Sequence, residues 1–161
     1  MEPFPKKTTN KYDFCKAVHE AEYSNASRYI QPNKKFRVVF GPSEYSDEKF
    51  RLFESYQMAV HNEPLGKPKP KSFKGFLCDS PLNSKIGPGM VKLGSYHESY
   101  ILDSKLIGMG VLDLLPDCVS SVYLTYEPSL KDLVMGKVGI ARELARAIEN
   151  GYRWYYMGKY T

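Results

Sequence analysis

Side chains able to move protons or donate hydrogen bonds are set into one stretch, Gly94 to Tyr126. Prominent among them are His97, Asp113, Ser120, Ser121 and Tyr123. A positioned carboxylate or imidazole can take a proton from an attacking nucleophile, and hydroxyls can stabilise the oxyanion that forms. Each has a plainer reading. Asp113 can be satisfied by the turn at Leu115–Cys118, and His97 can lie at the surface of a strand. His61, near the end of a helix, can be a cap or a surface group. The 13 tyrosines, against 8 phenylalanines, suit half-wet clefts or the rim of an aromatic core.

The elements that must position these groups follow from the apolar pattern. Tyr96–Leu102, Leu106–Leu115 and Cys118–Tyr126 are dense in Val, Ile, Leu and Tyr, which predicts three consecutive antiparallel strands. Asp103-Ser104 sits at the first break as a hairpin signal, and Pro116 ends the second run. Lys35–Phe40 reads as an earlier short strand, stopped by Gly41-Pro42. A helix is predicted over Ser43–Asn62, with Ser46 as N-cap and Asp47 and Glu48 favouring its first turn. Another follows the platform. Ser129 is its expected N-cap, Asp132 completes the box, and an apolar stripe runs from Leu130 to Ile148. Lys137, Arg142, Glu143, Arg146 and Glu149 fall largely off that stripe. Gly136 and Gly139 allow close helix–sheet packing or close approach of a ligand to the helix start. Tyr152–Met157 is a last strand.

Strand, strand, strand, helix, strand predicts an α/β fold of the N-acyltransferase (GNAT)-like kind, a mixed, mainly antiparallel sheet flanked by helices. Met1–Asn10 is expected to be a loose arm and Tyr12–Ile30 a helix, so residues 1–33 precede a domain over 34–161. Leu65–Lys71 alternates Lys and Pro, an extended surface loop or a basic strip for phosphates. Gly87-Pro88-Gly89 tips a further loop.

With 161 residues, 25% charged and 42% hydrophobic, the chain is an ordinary globular domain rather than a disordered one. Its net charge of +5 permits a polyanion partner. Cys15, Cys78 and Cys118 are scattered and form no CxxC pair, so no metal framework is expected. Scattered cysteines and the lack of an apolar leader or a span of about 20 apolar residues predict a cytosolic or nuclear protein.

Longer motifs carry a resemblance. Ser72-Phe73, Phe76-Leu77-Cys78 and Ser80-Pro81-Leu82 resemble SFxRFLCxSPL. Gly94–His97 with Tyr100 and Asp103 resembles GSYHQxYxLD, and Leu106–Tyr123 resembles LIAVGVLDLLPxCVSSVY. Tyr56-Gln57 with Val60-His61 matches YQxxVH, Tyr126-x-Pro128 resembles YDP, and Tyr155–Tyr160 resembles YYMGYY. Together they resemble the C-terminal catalytic part of the arginyl-tRNA–protein transferases, from about Phe36 to Tyr160. Gly75 stands where the family has arginine, and Leu133–Glu143 is an altered form of LSLGxYSALRE. Nothing matches the family's N-terminal cysteine-rich module or the segment after YYMGYY, so a truncated catalytic domain is expected.

The resemblance implies that arginine passes from Arg-tRNA, a co-substrate rather than a cofactor, to the α-amino group of proteins beginning with Asp, Glu or oxidised Cys. Such proteins become N-degrons for ubiquitin-dependent degradation. It further implies Asp113, His97 and Ser120 as catalytic candidates. Tyr56, Gln57, His61, Ser95, Ser121, Tyr123 and Arg142 become candidates for substrate binding, with no metal. Two other readings stay open: a catalytically silent binding domain, and an acetyl-CoA N-acetyltransferase. For the latter the pyrophosphate loop is only partly present. Gly139 and Ala141 fit it, but Gly136 stands where Arg or Gln belongs.

Overall fold

The computed structural model describes residues 12–22, 24, 33–82, 85–86 and 92–158. The predicted arm, the Gly87–Gly89 tip and the later part of the Tyr12–Ile30 segment lie outside them. Within that segment, α1 spans Phe14–His19, capped by the Asp13 carboxylate accepting from the backbone of Lys16.

A mixed sheet forms the centre. Its strands are β1 (Phe36–Pro42), β2 (Lys85–Ile86), β3 (Lys92–Leu102), β4 (Lys105–Leu114), β5 (Cys118–Tyr126) and β6 (Trp154–Tyr156). The order is β1-β3-β4-β5-β6, with β2 on β3, and every pairing is antiparallel except β5 with β6. The three predicted platform strands are β3, β4 and β5. Asp103 and Ser104 turn the β3–β4 hairpin with φ of +48° and +69°, the left-handed pair that matches strand twist. Asp103 tolerates this because its carboxylate accepts from the backbone of Lys35 at 2.8 Å.

Alternation gives the sheet two faces. On one, His97, Val111 and Tyr123 lie side by side, as do Ser95, Asp113 and Ser120. This face is covered by α2 (Asp47–Val60) and by α3 (Pro70–Phe73), which runs into a π-helical turn, Lys74–Cys78. Leu52, Phe53, Phe73, Leu77, Met109 and Val111 make the core there. Ser46 caps α2 as predicted, accepting from the backbone of Lys49.

The opposite face presents Glu98, Gly110 and Leu124 in one row and Tyr100, Gly108 and Tyr126 in the next. It is covered by α4 (Met135–Glu149). Here the structure corrects the sequence reading. The predicted continuous helix from Ser129 is a 3₁₀ segment, Pro128–Leu133, followed by a break at Val134 and a fresh start at Met135. Ser129 caps nothing. Instead the Glu127 carboxylate accepts from the Ser129 hydroxyl at 2.9 Å. Val134 is left-handed, φ +49°, which rotates α4 relative to the 3₁₀ segment. Its buried face carries Met135, Gly139, Arg142, Glu143, Ala145 and Ala147, while Leu133 and Ile148 are exposed. Two charged residues expected in solvent therefore lie against the sheet.

Candidate active site

The sheet is not closed at β5 and β6. Only Cys118, Val119 and Ser120 pair with β6. Beyond Ser120, β5 carries a bulge at Val122: Val111 opposes Tyr123, yet Leu112 opposes Ser121. A bulge bends its strand and re-aims its side chains. The two strands part here and leave a cleft of about 300 Å³. Ser121, Tyr123 and Tyr126 line it from β5, Tyr56 and His61 from α2, Gly136, Ile140 and Glu143 from α4, and Met157 and Gly158 from beyond β6. Gly158 has φ +76°, and a Cβ there would stand 2.9 Å from the Ser121 carbonyl oxygen. This close approach needs glycine.

The chemical centre of the cleft is Glu143, only 2% exposed. Burial raises its pKa to about 7, opposed by hydrogen bonds from Tyr155 and Ser121. The Tyr155 hydroxyl donates to Glu143 Oε2 at 2.7 Å. Gly110 makes room for the carboxylate, since a Cβ at Gly110 would meet Glu143 Oε1 at 3.1 Å. Gly139 lets α4 lie on Leu124, 3.3 Å from its virtual Cβ. Beneath α4, Glu98 is fully buried. It accepts from Arg146 Nε at 2.7 Å and from the Tyr100 hydroxyl at 3.1 Å. Arg146 also stacks over Phe40 at 3.7 Å.

Tyrosines form the opposite wall. The rings of Tyr56 and Tyr126 are 4.9 Å apart, and Tyr56 lies 6.3 Å from Tyr123. Burial pushes the Tyr56 phenol up to about 12, so it stays a hydrogen-bond donor at neutral pH. Gln57 Nε2 donates to the Tyr123 hydroxyl at 2.7 Å, which lies 3.4 Å from His61 Nε2.

Of the residues singled out from sequence, Tyr56, His61, Ser121 and Tyr123 line this cleft, and Gln57 reaches it through Tyr123. The others lie elsewhere. Asp113 and Ser120 are neighbours on the α2-side face. Asp113 accepts from the Ser95 hydroxyl, which lies 2.6 Å from Ser80 Oγ. His97 is not a surface group; it is 1% exposed. Its Nε2 lies 2.7 Å from the Leu77 carbonyl and its Nδ1 accepts from Lys49 Nζ at 3.0 Å. Burial lowers its pKa to about 4, so the neutral ring ties the π-helical turn and α2 to β3. Arg142 is buried between Glu22 and Glu98, where it pins the segment after α1 to α4. Glu143 and Tyr155 went unassigned in the sequence reading. The available signals were Ala141-Arg142-Glu143 within the family resemblance and glycines at Gly110 and Gly139, one on the strand and one on the helix.

A sheet splayed between a bulged antiparallel strand and a parallel one, with a helix start at the opening, defines a GNAT-like acyltransferase fold. A solved ribosomal-protein-alanine N-acetyltransferase from Brucella melitensis biovar Abortus 2308 shares it, with a TM-score of 0.54 at 14% identity over 78% of this chain and 80% of that one. The sequence places the chain more narrowly. It belongs to the family described as arginine-tRNA-protein transferase, C terminus, whose model matches residues 48–161. Arginyl-tRNA–protein transferase 1 of Saccharomyces cerevisiae is 34% identical over 92% of this chain, and that of Arabidopsis thaliana 33% over 94%. The chain spans 33% and 25% of those relatives' lengths. Among the described residues no helix is long and apolar enough to cross a membrane, and no cluster of His, Cys, Asp and Glu is suited to a metal ion.

Proposed function

We propose that this domain transfers arginine from Arg-tRNA to the α-amino group of proteins beginning with an acidic residue, with Glu143 as the general base. The observation that carries this reading is the buried carboxylate in the cleft, whose pKa of about 7 leaves both forms populated at neutral pH. An activated ester needs no covalent enzyme intermediate. Ionised Glu143 takes a proton from the acceptor amine as its nitrogen bonds the ester carbonyl carbon. The Tyr56 phenol, which lines the cleft, donates to the oxyanion, while the Ser121 hydroxyl supports Glu143. As the carbon–oxygen bond to the ribose breaks, protonated Glu143 returns the proton to the leaving hydroxyl. The net result is one amide formed and one ester cleaved.

Asp113 remains a positioning candidate, holding β3 to β4 through Ser95 beside the cleft-bearing strand. The co-substrate and the acceptors place the reaction in the cytosol or nucleus, where arginylated proteins enter ubiquitin-dependent degradation. The test incubates the purified chain with Arg-tRNA charged with radiolabelled arginine and a peptide beginning with Asp. Label transferred to the peptide, and lost in Glu143→Gln, is expected. No transfer by the wild-type chain, or acetylation from acetyl-CoA instead, overturns the reading.

A further inference from the structure

One surface beside the cleft plays no part in the chemistry above. After α2 the chain passes from His61 at the cleft to Phe76, whose ring meets Tyr123 edge-on at 5.3 Å. The residues between thus leave the rim of the cleft and return to it. Phe76 is 55% exposed although it touches a cleft tyrosine. The π-helical turn sets it there: Asp79 N–H donates to Lys74 O at 2.7 Å, while Phe73 and Leu77 point into the core. An extra residue in a helical turn re-aims its side chains.

The approach to Phe76 is basic. From Leu65 to Cys78 there are four lysines and no Asp or Glu. Lys67 is paired with Glu63 at 2.9 Å. Lys69, Lys71 and Lys74 are exposed, and Lys74 Nζ lies 4.5 Å over the Tyr45 ring. Pro68 is buried and Pro70 opens α3, so the lysines are carried on a fixed path. Fixed cations leading to an exposed ring fit a strand that offers phosphates and a flat base together. An acidic peptide offers the charge but no flat face.

We infer that Lys69, Lys71, Lys74 and Phe76 bind the single-stranded 3′ end of an RNA, the lysines tracking phosphates and Phe76 stacking a base at the cleft mouth. The inference rests on the aminoacyl-tRNA reading and specifies how the donor is presented. Phosphate contacts position the strand without reading its sequence. Stacking on Phe76 would then set how far the terminal ester enters toward Glu143.

The test measures binding of the full chain to two RNA hairpins, one with a single-stranded 3′ ACCA tail and one blunt, across a salt series. Phe76→Ala is expected to weaken the tailed hairpin about ten-fold and leave the blunt one unchanged, the loss of one stacked base. Replacing Lys69, Lys71 and Lys74 with Ala is expected to flatten the log–log salt slope by about two, three single-strand phosphates at roughly 0.7 each. These side chains are exposed, and far-ultraviolet circular dichroism verifies the fold of each variant. Wild-type binding to both hairpins with unchanged affinity and slope in the variants overturns the inference while the transfer assay still stands. Failure of the wild type to bind the tailed hairpin overturns the inference, and failure also to transfer arginine overturns the catalytic reading. Displacement of the tailed hairpin by an Asp-initial peptide, abolished by the lysine changes, would assign the strip to the acceptor and also overturn it.

Discussion

Glu143 and His97 are both buried, and burial moves them in opposite directions. Glu143 is raised to about 7 and His97 lowered to about 4. Their effects on stability oppose each other. The unfolded carboxylate ionises near pH 4.5, so the cost of an ionised, buried Glu143 is absent below that pH and complete above about 7. His97 stabilises the fold fully above pH 6.5 and loses that contribution as pH falls towards 4. Each amounts to about 3 kcal/mol at full extent. These two contributions are therefore expected nearly to cancel between pH 7 and 4.5. In Glu143→Gln the compensating carboxylate contribution is gone, so urea denaturation should show that variant losing about 3 kcal/mol more than the wild type as pH falls across the window. A variant with the same pH dependence as the wild type would contradict the assignment. Transfer should also rise with pH through about 7, as the base form of Glu143 accumulates. Asp113 drew attention in the sequence because a carboxylate inside an apolar run invites a role. Glu143 did not, because a charged residue on a helix is normally solvated. What reverses that expectation is the strand beneath it, where Gly110 leaves a recess for the carboxylate.

The joint between the 3₁₀ segment and α4 decides which residues the helix buries. Val134 occupies a left-handed conformation that a β-branched residue adopts at a cost of about 1–2 kcal/mol. Its side chain is largely exposed, so little packing offsets that cost. Val134→Asn is expected to raise stability by about 1 kcal/mol in thermal or urea melts; a loss would show that the valine side chain is needed. The strands were legible because their turns carry local signals: Asp103-Ser104 and Pro116 lie in or beside the expected positions, whereas Gly41-Pro42, read as a stop, are the last paired residues of β1, opposite His97 and Tyr96. The start of α4 was not. Ser129 and Asp132 spell a capping box, but Pro128 and the Glu127 carboxylate form a tighter turn first. The left-handed residue that follows has no sequence signature in a valine. The cleft was legible in part. The α2 and β5 residues come from motifs that carry the family resemblance, YQxxVH and CVSSVY, whereas the α4 contribution depends on the rotation set at Val134.

Across the whole molecule, α4 and the sheet are joined by charge as well as by apolar packing. Glu98 of β3 meets Arg146 of α4, with Arg142 at 4.0 Å and the Glu22 carboxylate beyond it. Removing one partner leaves the other buried and uncompensated. Glu98→Ala should therefore destabilise the domain by about 3–5 kcal/mol in denaturant melts. A loss below about 1 kcal/mol would mean the arginines find water instead. This ionic layer also separates two kinds of inheritance. Glu98 and Arg146 maintain the scaffold whether or not the cleft works, so drift at either is penalised in every descendant. Glu143 lies one helical turn away and burdens the fold when ionised. Were the proposed base not needed, the fold would gain stability by discarding that carboxylate, and Gly110 would then be free to acquire a side chain. Retention of Glu98 and Arg146 alongside a changed 143–110 pair would thus be the imprint of a silenced copy. This chain carries both pairs intact.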